Sequence, residues 1–293
     1  MEDKDPPAGG DEVPRSGNRR EGEWENCPSL KLRVTNGKEI FIQNIYNQLN
    51  NSIKIFQSPY ELAEKFAEEL IGMINESVKK RKPFIIALSG GSTPRLLFSI
   101  LGDHFSDSAS WKYVHFFWGD ERCVPPDNLE SNYGMSKRVF LDKIKIPKSN
   151  IHRIIGENDP LQEADRYSDE ILKYTRKRAN LPVFDIIMLG LGEDGHTASI
   201  FPENTELLIS EKICDIALHP VSSQKRVTIT ARVINNADNI VFLVTGANKA
   251  KVVSEIIESP GIVDYPAASI EPLHGALVWY LDLEAAGMLN QWA

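Results

Sequence analysis

The feature that most constrains this chain is a rhythm of short, unbroken apolar runs, each closed by glycine or charged residues. The runs are FIIAL at 84–88, YVHFFW at 113–118, FDIIML at 184–189, NIVFLV at 239–244 and ALVWYLD at 276–282. Between them lie segments of helical spacing. In ELAEKFAEELIGMINESVKK, residues Leu62, Phe66, Leu70, Met73 and Ile74 share one helical face, and ANKAKVVSEII repeats the pattern. A strand with one wet face alternates polar and apolar residues. A run that is apolar at every position needs cover on both sides. The pattern therefore predicts an α/β fold: one domain, with a mostly parallel sheet flanked by helices on both faces.

The rhythm runs from Ile53 to the end, which places a domain over 53–293. Residues 1–29 hold eight acidic and four basic residues, four prolines and almost nothing apolar, so they read as a disordered acidic tail. Residues 30–52 differ, because LKLRV and EIFIQNIY flank TNGK, and Asn36-Gly37 is a hairpin signal. They read as an appended hairpin-like segment. Overall, 33 Lys and Arg stand against 41 Asp and Glu, a net charge of −8. Such a balance repels phosphate backbones, so no nucleic-acid partner is expected, although one local basic pocket can still take a small anion. No run approaches a membrane span, and the first thirty residues carry no signal-peptide centre. Cys27, Cys123 and Cys214 are odd in number and scattered, against a disulfide framework or a zinc site. The expectation is a soluble cytoplasmic protein without a membrane partner.

The unusual polar residues follow the ends of the apolar runs, where parallel α/β sheets place their ligand sites. Ser89-Gly90-Gly91-Ser92-Thr93-Pro94 lies between a strand and a helical pattern. Thr93 suits the N-cap and Pro94 the first helical position, while the glycines let the backbone approach an anion. A phosphate cradle and an ordinary glycine-rich turn both fit. Gly190 to Gly195 matches GxGxxG, yet Glu193 and Asp194 sit where a pyrophosphate would lie, and His196–Pro202 leaves little room for the required helix, so a dinucleotide is rejected. Asp194-Gly-His196 instead offers an imidazole beside a carboxylate, the makings of a general base. The other histidines lack such a setting. Asp120-Glu121-Arg122 would usually be a solvated turn, Lys249 a surface lysine, and Arg226 a strand arginine reaching for solvent.

Taken together, SGGSTP at 89–94, GDERCVP at 119–125, SNYG at 131–134, GLGEDGHTASIFP at 190–202, RVT at 226–228 and TGANKA at 245–250 resemble the glucosamine-6-phosphate isomerase/6-phosphogluconolactonase family. The resemblance implies a Rossmann-like sheet and hydrolysis of 6-phospho-D-glucono-1,5-lactone in the oxidative pentose phosphate pathway, without metal or organic cofactor. It implies that the phosphosugar lactone is held by Ser89, Gly90, Gly91, Ser92, Thr93, Arg226 and Lys249, with Asp120 near the sugar. His196 would be the base, oriented by Asp194. Arg122 would face either the phosphate or the carbonyl oxygen, with a backbone N–H near Gly192 as the other oxyanion donor. The deaminases of the same family typically read DGHIAFNEP where this chain reads Asp194-Gly-His-Thr-Ala-Ser-Ile-Phe-Pro202, and tyrosine where it has Arg122. Both departures favour the lactonase.

Overall fold

Each apolar run becomes a strand in the computed structural model, which describes residues 53–259 and 263–290. In chain order the strands are β1 (Ile53–Phe56), β2 (Phe84–Leu88), β3 (Val114–Trp118), β4 (Asp120–Arg122), β5 (Arg176–Arg178), β6 (Leu181–Val183), β7 (Ile186–Leu189), β8 (Cys214–Leu218), β9 (Lys225–Ile229), β10 (Asn239–Val244) and β11 (Ala276–Asp282). Six of them form one sheet in the order β1-β11-β10-β7-β2-β3, parallel at every pairing. All residues of β2 and β7 are buried, so both faces are covered and the lack of alternation in FIIAL and IIML is explained.

The helices are α1 (Pro59–Lys79), α2 (Ser92–His104), α3 (Asn132–Val139), α4 (Pro160–Tyr174), α5 (Glu206–Ile209), α6 (Ala231–Ile234) and α7 (Ala250–Glu258). Helix α1 starts where Ser58 Oγ accepts from Glu61 N at 3.2 Å and Pro59 occupies the first turn. It buries Leu62, Phe66, Leu70 and Ile74, each worth roughly 1.5–3 kcal/mol. The N-cap of α4 is Asp159, whose carboxylate accepts from Leu161 N and Gln162 N at 3.1 Å.

Two features position the site. The first is strand order: β2 has β3 on one side and β7 on the other, and the chain continues from β7 away from β3 towards β10. The carboxyl ends of β2 and β7 thus flank a topological switch point, where connections diverge and leave a crevice. The second is Gly119. Its N–H donates to Leu88 O (2.9 Å) in the large sheet, and its carbonyl accepts from Ile229 N (2.8 Å) in a small antiparallel sheet ordered β4-β9-β8. Tyr167 of α4 clamps the preceding residue, accepting from Trp118 N and donating to Trp118 O at 2.8 and 2.9 Å.

Two readings need correction. Asp120-Glu121-Arg122 is not a solvated turn: it forms β4, with Asp120 and Glu121 buried, because pairing with β9 draws the segment under the site. Helix α2 begins at Ser92 with Gly91 (φ +102°) as its N-cap, not at Pro94 behind a Thr93 cap. Proline remains tolerable at the third position because N–H groups in a first turn have no helical partner anyway. Ahead of the helical pattern, Ile53–Phe56 adds an edge strand that the rhythm of longer apolar runs does not single out. The expected tail at 1–29 and hairpin-like segment at 30–52 lie outside the described residues.

Candidate active site

The crevice beyond β2, β4, β7 and β10 is a cavity of about 240 Å³, lined by Ser89–Pro94, Asp120, Arg122, Asn132, Gly190–Gly192, His196, Ala198, Arg226, Thr245 and Lys249 among others. Of the eleven expected site residues, ten line it. The eleventh, Asp194, stands behind His196. Four separate strand ends therefore meet, as their positions in the sequence suggested.

At the β2 end, a side chain at Gly90 would displace Asn132. A Cβ there would come within 1.9 Å of Asn132 Oδ1. The first helical hydrogen bond of α2 runs from Arg95 N to Gly91 O (3.1 Å), so the N–H groups of Ser92 and Thr93 precede the helical ladder at the positive end of the helix. Thr93 Oγ1 bonds Thr245 Oγ1 at 2.7 Å, tying this loop to the one after β10. That second loop turns at Gly246 (φ +98°), whose N–H donates to both carboxylate oxygens of buried Asp282 at 3.0 and 3.2 Å. It delivers Lys249, which forms no ion pair among the described residues. Asn248 donates to Glu193 Oε1 at 2.6 Å, turning that carboxylate to the rim.

Arg226, on β9, is 9% exposed. Its guanidinium lies 5.4 Å from the Phe201 ring, 3.5 Å from Ser199 Oγ and 3.9 Å from Asp120 Oδ2. Burial holds its pKa below the usual arginine value despite the Asp120 charge. Arg122 donates through Nη1 to the carbonyl of Glu130. The buried Nε atoms of Arg122 and Arg226 both lack a hydrogen-bond partner among the described residues. Leaving such a donor unsatisfied costs about 1–3 kcal/mol, and more when charged. Both side chains also line the cavity, where their positive charge suits an anionic ligand. Asp120 accepts from Ser199 Oγ through Oδ2 (2.7 Å), while Oδ1 has only a 3.4 Å contact from Asn132. Three cations against one lining carboxylate make a local positive hole in an acidic protein.

Also at the cavity, Asp194 Oδ1 accepts from His196 Nδ1 at 2.6 Å and from His196 N at 3.2 Å. Burial opposes ionisation of Asp194, but the hydrogen bond and charge of His196 outweigh it and hold the carboxyl at about 2. With Nδ1 committed to the carboxylate, Nε2 carries the lone pair. The Phe201 ring packs against the imidazole with centroids 4.7 Å apart and planes tilted by 50°. The Gly192 N–H is occupied by the His196 carbonyl at 2.8 Å, so that particular N–H is not free to act as an oxyanion donor. No helix follows the GxGxxG match before α5, in keeping with the rejected dinucleotide reading. Among the described residues no three His, Cys, Asp or Glu side chains gather in a metal-binding group.

Sequence reasoning did not single out Asn132, Thr245 or Phe201. Asn132 had a signal in SNYG, where Ser131 caps α3 by accepting from Gly134 N at 2.9 Å. His219, which the sequence groups with the other histidines, has its ring 5.2 Å from that of Phe201. His115 and His152 do pair in the interior, at 2.9 Å.

The family described as glucosamine-6-phosphate isomerases/6-phosphogluconolactonase matches residues 57–279. A 6-phosphogluconolactonase of Haemophilus influenzae is 42% identical over 240 residues, covering 80% of this chain and 98% of its own. One from Treponema pallidum is 39% identical over 201 residues, covering 69% and 83%. The solved 6-phosphogluconolactonase from Trypanosoma cruzi superposes with a TM-score of 0.74 at 32% identity, over 82% of this chain and 97% of that one. A monomeric glucosamine-6-phosphate deaminase shares the fold, with a TM-score of 0.68 at 22% identity over 81% and 99%.

Proposed function

We propose that this chain, which belongs to the glucosamine-6-phosphate isomerase/6-phosphogluconolactonase family, hydrolyses 6-phospho-D-glucono-1,5-lactone to 6-phosphogluconate, a step of the oxidative pentose phosphate pathway. The observation that carries the reading is the Asp194–His196 dyad brought to one small cavity that Arg122, Arg226 and Lys249 also line. A phosphorylated ester needs one base and two receptors for negative charge, and this is that set.

In the proposed reaction the phosphate sits against the start of α2, between Ser89–Thr93, Arg226 and Lys249. Asp120 accepts a hydrogen bond from a sugar hydroxyl. His196 Nε2 takes a proton from water as that water's oxygen bonds to C1. The carbonyl oxygen gains negative charge and is met by Arg122, a donor fixed before the reaction begins. Collapse of the tetrahedral intermediate breaks the bond from C1 to the ring oxygen, which receives the proton from His196. The product acid then loses its own proton to solvent. Asp194 stays ionised throughout, holding the ring's tautomer and stabilising the imidazolium.

Arg122 and the sequence Thr197–Pro202 speak against ring opening of an amino sugar. One assay separates the reactions. Freshly made phosphogluconolactone and glucosamine 6-phosphate are each offered, and acid and ammonia are followed above the spontaneous hydrolysis of the lactone. Acid release alone is expected; ammonia release, or no turnover of either, overturns the proposal.

A further inference from the structure

Strand β4 alternates its side chains, so Asp120 and Arg122 line the cavity while Glu121 between them points the other way, into the protein. Glu121 is 2% exposed and forms no ion pair with Lys, Arg or His among the described residues. A buried carboxylate without a cation needs another source of compensation. It has four donors, two on each oxygen. Oε1 accepts from Arg122 N and Asn132 N, both at 2.8 Å; Oε2 accepts from Tyr133 N at 2.8 Å and Ser131 Oγ at 3.0 Å. Three of these belong to the start of α3, whose N-cap Ser131 already serves Gly134 N.

What this junction fixes is the side chain of Asn132. Asn132 Nδ2 donates to the carbonyl of Asp120 at 3.0 Å, and its Oδ1 fills the space that a side chain at Gly90 would need. The Asn132 amide is thus wedged between β4 and the loop that begins α2. Glu121 holds that wedge by its backbone N–H, and holds Arg122 by its N–H with the other half of the same oxygen.

We propose that Glu121 is a positioning residue of this site: by binding the N-terminus of α3 it sets Asn132, and through Asn132 the spacing between β4 and the phosphate-binding loop at Ser89–Thr93. The proposal rests on the functional reading above, since it assigns the loop to the phosphate. It gives the interior acid of the GDER segment a task distinct from those of its neighbours on either side.

The test is Glu121→Gln, which keeps size but places an NH2 group against two donors. The readout is the ratio of kcat/KM for phosphogluconolactone to that for unphosphorylated gluconolactone. It should fall by roughly tenfold or more, the scale expected when hydrogen bonds to a charged group are mis-set. Asn132→Ala should reproduce most of that fall, and Glu121→Gln added to Asn132→Ala should change the ratio by less than about threefold, because interacting residues are not additive. Glu121→Asp, which keeps the charge, should recover part of it. A lower Tm with an unchanged ratio would mean that Glu121 merely stabilises α3. Should Glu121→Gln fail to fold, a parental ratio in Asn132→Ala still overturns the proposal. Calorimetric titration with 6-phosphogluconate keeps the two claims apart. A parent that binds it and a Glu121→Gln variant that binds equally well refute only the role of Glu121. A parent that neither binds it nor hydrolyses the lactone refutes the functional reading, and this proposal with it.

Discussion

Replacing Asp194 by asparagine tests the dyad more sharply than deleting either member, because the geometry sets the size of the effect. One atom, Oδ1, accepts from both His196 Nδ1 and His196 N, at 2.6 and 3.2 Å. An asparagine that keeps its oxygen there satisfies both donors, whereas turning its NH2 inward would oppose the backbone N–H. The tautomer of His196 should therefore survive, and only the negative charge is lost. Hydrogen bonds to charged groups contribute about 1.5–3 kcal/mol and neutral ones about 0.5–1.5, a difference of roughly 1–1.5 kcal/mol. The Asp194 and His196 side chains are 43% and 28% exposed, and water screening keeps the difference near the lower end. Asp194→Asn should thus lower kcat by only about 5–10-fold, with 6-phosphogluconate binding unchanged. Asp194→Ala, which frees the ring, should lower it by about 100-fold or more. The assay is initial-rate acid release above the spontaneous background. An Asp194→Asn enzyme as slow as the alanine variant would show that the amide turns and inverts the tautomer. Equal rates in all three proteins would dissolve the dyad.

Other outcomes follow from the same contacts. His196→Ala should lower kcat by roughly 10²–10⁴-fold while 6-phosphogluconate still binds, since the proposed phosphate contacts lie on other residues; a near-normal kcat would assign the base to another group. Arg226→Ala and Lys249→Ala should each narrow the preference for phosphorylated over plain gluconolactone, and unchanged discrimination would misplace the phosphate. Gly90→Ala should damage phosphate binding and cost about 1–3 kcal/mol of stability, because its Cβ meets Asn132 at 1.9 Å; denaturant unfolding reads the second effect. Burial lowers the pKa of His152 from 6.5, against its bond to Glu170. The unfolded chain then binds a proton more readily than the folded one, so stability should fall as pH drops through about 6.5. Urea titrations at pH 7 and 5 with equal midpoints for the parent, or an equal drop in His152→Gln, would refute that account.

The runs that became β2, β3, β7, β10 and β11 were legible because burial on both faces writes itself into unbroken apolar sequence. The strands missed or misjudged are those where that rule does not apply. IKIF at the sheet edge is too short to stand out, and DER at β4 is polar because its side chains serve the cavity and the α3 junction rather than a core. Site residues on strand ends and glycine turns were readable, since those places have a local signature. Phe201 and Asn132 were not singled out, because one acts by supporting two rings and the other by filling the space above Gly90. Such roles exist only between segments distant in sequence. The start of α2 was displaced by two residues for a similar reason: a glycine at φ +102° can end the loop before either Thr93 or Pro94 is reached.

The anchoring of the Lys249 loop by Asp282 carries a consequence for the order of folding. Asp282 is the last residue of β11, and β1, at the other end of the described chain, pairs with that same strand, Phe56 opposite Asp282. Closing a loop of this length is slow compared with forming local helices and hairpins, and chains whose contacts are so distant fold late and through partly formed species. During synthesis, the loops after β2 and β7 emerge well before the residue that fastens the loop carrying Lys249. A nascent or truncated chain ending before β11 would carry the imidazole and both arginines but leave β1 without its partner strand and Gly246 without its acceptor. Competence to hold a phosphate should therefore appear abruptly with the final strand, rather than accumulate as the chain grows.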